Sequence, residues 1–546
     1  MMKQEPVIQL VVFRRAILLT GVLMGILTRD LPSVAAVGDP VAKTNYYVNN
    51  RTGSDELNGL APMPSPDGKA GPTATIMAAV KKACVGARIV IANTGKEYRE
   101  SVRIENYRKG RADNPLVIDG NGATVSGLMR AAPDRWTHVR DDVYSFNNRV
   151  GGADYVPKHG YCGWEQRIGD SVYGHMPGFN WMASWKGWPT ERQAPEIFFL
   201  NGKPGPNVAK LADLPPGGFF YDHHVKPRCL YFRLPAGSKI EDCTLELPLN
   251  EGFFVTDDYV VVRNLASKYA IDDGFAGFWG IGVVFENCNG SFNCDQGISL
   301  HGTSVTLIDG GLYERNGGCG IADVMSSFTV YRNVVVRDNL ITGALFQGLG
   351  HSMLNCRLYG NWSPQIDANG DGVVSIVNCL IAGSLQAGGG AHIGQGRIDP
   401  AGGVGIQVQR GRIDHCTIVN CSQGVVVLQS GVIANSVIAN CPGALVDVRP
   451  AATNTFQMRK TILAPGTVVY GKDKVSPDAW AEFVKKAPWA SSDILAAPRL
   501  EPPQYALPPD SPHFKAGDYG RTPGAVLPPC HGWNPNGEQP YIRTPP

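Results

Sequence analysis

Charge is scarce in this chain and almost balanced. Only 18% of the residues are charged, 50 basic against 48 acidic, and the formal net charge is +2. Nucleic acids and anionic membrane surfaces call for a concentrated basic patch, so the balance gives no ground for either as a partner. Long apolar runs are missing past the first 36 residues, which leaves nothing to span a membrane in the remainder. No CxxC pair or Cys/His grouping has the spacing of a zinc site. Helix-length periodicity is missing as well from most of the chain. What is abundant is glycine and proline, 65 and 40 residues, in a chain of 546 that is 43% apolar. Such a chain turns often and still buries a large core.

At the N-terminus Lys3, Arg14 and Arg15 precede an apolar run from Ala16 to Leu27, and small residues follow from Ser33 to Ala36. This is the layout of a secretory signal over residues 1–36, and Arg14-Arg15 also suits a twin-arginine signal. The mature protein is therefore expected to be exported, whether secreted, periplasmic or at the cell surface, with no membrane span after cleavage. Thirteen cysteines are present, an odd number. In an exported protein that raises disulfides. Four of them, Cys288, Cys356, Cys379 and Cys416, each follow Asn or His at one point of a recurring pattern, which marks them as a buried stack of free thiols. Cys162, Cys229 and Cys243 lie outside that pattern and are the better disulfide candidates.

The pattern runs from Tyr259 to about Tyr470. Its anchors are Asn264, Asn287, Asp309, Asn333, Asn355 and Asn378, 22 to 24 residues apart, and it resumes at His415 and Asn435 after the glycine-rich stretch AGGGAHIGQGRIDPAGG. Each repeat holds two or three short runs of Val, Ile and Leu separated by Gly, Asn and Asp, which reads as short strands with tight turns. One such repeat cannot bury its apolar face alone. Successive copies must stack as coils of a parallel β-solenoid, with equivalent positions about 4.8 Å apart. Asn264, Asn287, Asn333, Asn355, Asn378 and Asn435 then form a ladder of stacked amides at a turn that Asn tolerates.

With these repeats, the opening YYVNNRTGSDELNGLAP, the stretch GPTATIMAAVKKACVGARIVIANTGKEYRESVRI, PLVIDGNGATVSG and the tail SPHFKAGDYGRTPGAV, the chain resembles the right-handed parallel β-helix proteins of the pectin/pectate lyase-like superfamily. The resemblance implies an all-β fold with a short N-terminal capping helix. Ile76, Val80 and Ala83 mark one face of that helix, behind Thr73 or Thr75 as its N-cap. It says little about activity, since such folds carry lyases, hydrolases, esterases and proteins that only bind. The expected organisation is a signal peptide (1–36), an N-terminal cap with the first coils (37–128), an aromatic-rich β insert (129–250), the main β-helix (251–470) and a Pro-rich C-terminal tail with one short helix (471–546). The insert carries Trp136, Trp164, Trp181, Trp185 and Trp188, rings that either stack on sugar faces or fill a core.

Ten or eleven residues after each anchor a glycine opens a strand: Gly274, Gly297, Gly320 and Gly343, with Gln365 in its place one coil further. Alternation in CDQGISLHG directs Ile298 and Leu300 inward and Ser299 and His301 outward, with Gln347 and Asn369 near the column of His301 and Asp367 in that of Ser299. Asp272 and Asp273 lie one coil from Asp295. Carboxylates at that spacing repel unless they share a proton, bind a cation or act as an acid/base pair. Asp272, Asp273, Asp295 and His301 are thus the candidate catalytic residues, with Lys268, Arg315 and Arg337 as basic alternatives. The alternative for the acids is turn-forming duty, since Asp before Gly is ordinary turn chemistry. The motif DANGDG places Asp367, Asn369 and Asp371 at the spacing of the front of a calcium loop, but position twelve is Asn378 rather than the Glu of an EF-hand, so the readings are a calcium-binding turn of a β-helix or a plain polar turn. No other cofactor is expected. The functional expectation is an exported monomer that acts on or binds polysaccharide or a cell-surface glycan, as a polysaccharide lyase more than a glycoside hydrolase. A non-catalytic carbohydrate-binding β-helix is the alternative.

Overall fold

The computed structural model describes residues 43–131, 133–146, 166–168, 171–173, 198–208, 210–222, 229–362, 364–383, 403–464, 466–487, 494–495, 498–500 and 505–527. The expected signal segment, Cys162, Trp164, Trp181, Trp185 and Trp188 lie outside the described residues.

Three strands per repeat build three parallel sheets. The first contains Phe275–Phe278, Ile298–His301, Ile321–Asp323, Ala344–Phe346 and Ile366–Ala368. The second contains Ile281–Glu286, Val305–Asp309, Phe328–Arg332, Gly350–Leu354 and Val373–Val377. The third contains Asn289–Ser291, Leu312–Glu314, Val335–Arg337, Arg357–Tyr359 and Leu380–Ala382. Each strand pairs in parallel with its counterpart in the next coil, for example Ile298 with Ile321 and then Ala344. The result is the right-handed parallel β-helix that the repeats predict. Its lumen is one apolar cluster extending from Tyr46 to Trp480.

The asparagine ladder forms at the turn between the second and third sheets. Asn264, Asn287, Asn333, Asn355, Asn378 and Asn435 all adopt left-handed backbone, with φ between 48° and 58°. Most L-residues pay roughly 1–2 kcal/mol for that conformation, and Asn is among the few that visit it readily. The amides bond from coil to coil, Asn355 to Asn333 at 3.3 Å and Asn378 to Asn355 at 2.7 Å. In the coil of Asp309 the turn position is held by Gly310 instead. Asp309 ends the strand before it and accepts from the Asn333 amide at 2.8 Å.

A second ladder, which the sequence reading did not identify, occupies the turn between the third sheet and the first. Asn293, Asn316, Asn339 and Asn361 are buried, and each Nδ2 donates to the next side-chain carbonyl: 2.9 Å to Asn316, 2.9 Å to Asn339, 2.8 Å to Asn361 and 2.9 Å to Gln365. This explains the column of glycines. A Cβ on Gly274, Gly297, Gly320 or Gly343 would lie 2.4–2.8 Å from the ladder amide of the next coil. Where Gln365 replaces glycine, its own amide fills that space and ends the ladder, donating to the Asn361 carbonyl at 2.7 Å.

The four cysteines of the repeat are free and fully buried. Register puts Cys356, Cys379 and Cys416 on consecutive coils, with Ser436 next in the column. Cys288 is separated from them by the coils of Gly311 and Val334. Cys243 is also free, which corrects its expected place in a disulfide. It lies in the apolar core of the insert, 3% exposed, and packs there as a small hydrophobe.

The helix Ile76–Lys82 follows Thr75, whose side chain accepts from the Ala78 N–H, and it buries Ile76, Ala79 and Val80. Between residues 129 and 250 the described chain forms two four-stranded antiparallel sheets and one two-stranded sheet. Trp136 is a core residue there. Its ring lies 4.6 Å from that of Phe232 and 5.0 Å from that of Phe146. The same cluster takes in Ile271 and Cys294 from two β-helix turns, which fastens the insert beside the acidic residues Asp272 and Asp295.

Candidate functional site

The turn that opens each coil of the first sheet positions the acids. Backbone bonds from Cys294 N–H to Ala270 O (2.9 Å) and from Asp295 N–H to Asp272 O (3.1 Å) stack one turn on the next. The carboxylates of Asp272, Asp273 and Asp295 therefore converge, with ligand oxygens within 4.8 Å of one another. Asp295 is 6% exposed and Asp272 half-buried. Gly318, one coil further, keeps the space beside Asp295 clear, for a Cβ there would meet its Oδ1 at 2.2 Å.

Burial pushes the Asp273 carboxyl well above the ordinary range, and the charges of Asp272 and Asp295 push the same way. The Gln296 N–H, 3.1 Å from Asp273 Oδ1, and a hydrogen bond from Ser299 oppose the shift. Ser299 Oγ also lies 2.7 Å from His301 Nε2. Ser299 thus bridges Asp273 and His301. The His301 ring is stacked on Phe278 of the preceding coil, 4.3 Å between centroids and 2° between planes. The four residues singled out in the sequence thus meet on the outer side of the first sheet, linked through Asp273, Ser299 and His301.

The basic alternatives lie along the third sheet. Register places Lys268, Ser291, Glu314, Arg337 and Tyr359 in one column. Arg337 is committed to Glu314, with Nη2 2.6 Å from a fully buried carboxylate. Arg315 lies over the Phe292 ring at 5.6 Å. In DANGDG both Asp367 oxygens accept from amides, Asn369 and Gln407 at 3.0 Å each, and Asn369 Oδ1 accepts from Gln347 at 3.1 Å. Asp371 is exposed. A calcium ion at Asp367, Asn369 and Asp371 would have to displace those amide donors.

Fold and site together define a parallel β-helix protein with a carboxylate cluster and an adjoining histidine on its outer face. The sequence matches no family model and no curated protein. Among solved structures it is similar to XylC in complex with xylose, with 12% identity over 83% of this chain and 82% of that one and a TM-score of 0.39. It is also similar to a glycoside hydrolase, with 10% identity, 78% and 94% coverage and a TM-score of 0.41. A third is pectate lyase Pel9A, with 12% identity, 90% and 98% coverage and a TM-score of 0.37.

Proposed function

We propose that this is an exported polysaccharide-cleaving enzyme, a lyase more than a hydrolase, and that Asp272, Asp273, Asp295 and His301 form its active site. The observation that supports the reading is the convergence of three carboxylates within 4.8 Å beside the hydrogen-bonded Ser299–His301 pair. Three carboxylates this close repel when all are charged, which favours a shared proton or a bound cation. The all-oxygen donor set fits a hard divalent cation such as calcium, held by Asp272, Asp273 and Asp295. When bound, such a cation would neutralise the carboxylate of a uronate unit.

In the proposed lyase reaction His301 takes the proton from the carbon beside the uronate carboxylate. The glycosidic C–O bond on the neighbouring carbon then breaks, a C=C bond forms, the departing oxygen takes a proton from water, and His301 returns its proton to solvent. The hydrogen bond between His301 and Ser299 holds the ring for that role. A hydrolase is the second reading, because retaining glycosidases use two carboxylates about 5 Å apart, close to the separation here.

The test is depolymerisation of a panel of uronate and neutral polysaccharides by the wild type and Asp295→Asn. Absorbance from unsaturated ends marks a lyase, and reducing ends alone mark a hydrolase. Asp295→Asn should abolish turnover with little change in melting temperature, because a turn Asn keeps most hydrogen bonds but is neither an anionic ligand nor a base. Full activity in that variant removes Asp295 from the site. Binding without cleavage of any glycan leaves a non-catalytic carbohydrate-binding protein.

A further inference from the structure

Trp279 departs from what local physics favours. It follows Phe278 at the turn out of the first sheet with φ 59°, a conformation costly for a bulky residue. The next coil places Gly302 at the same position. Burial does not repay the cost, since Trp279 is 59% exposed. Its indole lies over Gly302, where a Cβ would meet the ring at 2.4 Å. Strain kept at an exposed aromatic residue points to a contact made with something outside the chain.

The surroundings say what that partner is. Trp279 forms one wall of a cleft whose other sides are Glu105, Asn106, Arg108, Thr256, Asp257 and Asp258. Three carboxylates outnumber the guanidinium of Arg108 and that of Arg103, 3.4 Å from Glu105, so the cleft disfavours a further anion. Asp257 Oδ2 accepts from the Arg108 N–H at 2.7 Å and Asp258 Oδ1 from the Ile281 N–H at 2.8 Å, which holds both carboxylates in place at the cleft. A flat ring beside fixed acceptors suits a molecule with an apolar C–H face and a rim of hydroxyls, which is a neutral sugar. The cleft adjoins the proposed active site, because Phe278 contacts both rings, Trp279 at 5.5 Å and His301 at 4.3 Å.

We propose that Trp279, Glu105, Asp257 and Asp258 form a binding subsite for a neutral sugar unit of the glycan. With the acid cluster taking a uronate, the substrate class becomes a mixed polysaccharide in which neutral and uronate units are near neighbours. That last step rests on the function proposed above, whereas the neutral-sugar subsite does not.

The experiment is calorimetric titration of the full-length protein with xylohexaose, cellohexaose, mannohexaose and hexagalacturonate, on wild type and Trp279→Gly. Glycine is at ease with positive φ, so the variant should melt at the same temperature or higher, which removes unfolding as a cause of lost binding. At least one neutral hexasaccharide should bind the wild type, and Trp279→Gly should weaken it at least tenfold. Failure of all three neutral probes, or equal affinity in the variant, overturns the subsite whatever the depolymerisation assay shows. Neutral binding that depends on Trp279 in a protein that cleaves nothing keeps the subsite and rejects the enzyme.

Discussion

At the scale of single residues, burial decides the chemistry of the acids. Burial is the main cause that raises the Asp338 carboxyl to about 7, while Arg337 and Arg315 pull it down and Glu314 adds to the rise. The native state then holds this proton more tightly than the unfolded chain. The contribution of this group to stability should be greatest at acid pH, fall as pH rises from about 4 to about 7, and level off above, a loss on the order of 2–4 kcal/mol. Denaturant unfolding across that range measures it. Asp338→Asn, at a position with φ 58° that Asn accepts, should flatten the slope. Gly318→Ala makes a separate demand on the proposed site. The added methyl must move the Asp295 carboxylate, so turnover or calcium affinity should fall at least tenfold while the melting temperature changes little. An unaffected Gly318→Ala enzyme would show that the position of Asp295 does not matter.

At the scale of the coil, two ladders and one thiol column hold successive rungs in register. Asn316 accepts from the Asn293 N–H and side-chain amide and donates to Gly290 O and Asn339 Oδ1, all in buried surroundings. Asn316→Ala orphans several polar groups together. At about 1–3 kcal/mol for each buried group left unpaired, the loss of stability should exceed 3 kcal/mol in denaturant titration. The thiol column gives a contrast at one position. Ser436 stands in register with Cys416 and donates to Ala434 O at 2.7 Å, as Cys356 donates to Leu354 O at 3.3 Å. Cys356→Ser should therefore cost no more than about 1 kcal/mol, whereas Cys356→Asp buries an unpaired carboxylate and should cost several. Equal stability of the two variants would mean the column is open to water.

At the scale of the whole molecule, a solenoid is held mainly by contacts between neighbouring coils. The C-terminal tail adds a contact that is not nearest-neighbour. Val526 exchanges hydrogen bonds with the Asn378 side chain at 2.7 and 2.8 Å, the Asp518 N–H donates to Asn435 at 2.7 Å, and the Ala525 N–H donates to Thr417 at 2.9 Å. The tail thus finishes the asparagine ladder. Truncation after residue 500 should raise hydrogen exchange in the coils from Asn378 to Ile462 and leave the turns of Asp272 and Asp295 protected, with activity retained at moderate temperature. Export is a proposal at this scale too: the secreted protein should begin close to Ala36 or Val37 on N-terminal sequencing, and an intact Met1 would reject it.

The repeat spacing, the runs of Val and Ile and the Asn anchors determined the solenoid, because stacking is local. Each coil repeats the physics of the last, so the period alone fixes which residues become neighbours. For the same reason the meeting of Asp272 and Asp273 with Asp295, one coil apart, and the placing of Ser299 and His301 on the outer face could be counted along the chain. The second ladder was visible only as unexplained glycines at Gly274, Gly297, Gly320 and Gly343, since its hydrogen bonds run between turns whose buried side the pattern does not reveal. Trp279 does not stand out among ten tryptophans in the sequence, and Trp136, for which sugar stacking and core filling were both open, is core. Only the tertiary structure separated the two. Whether a ring faces water or other rings depends on what packs over it from distant parts of the chain, and so does the burial that raises Asp273.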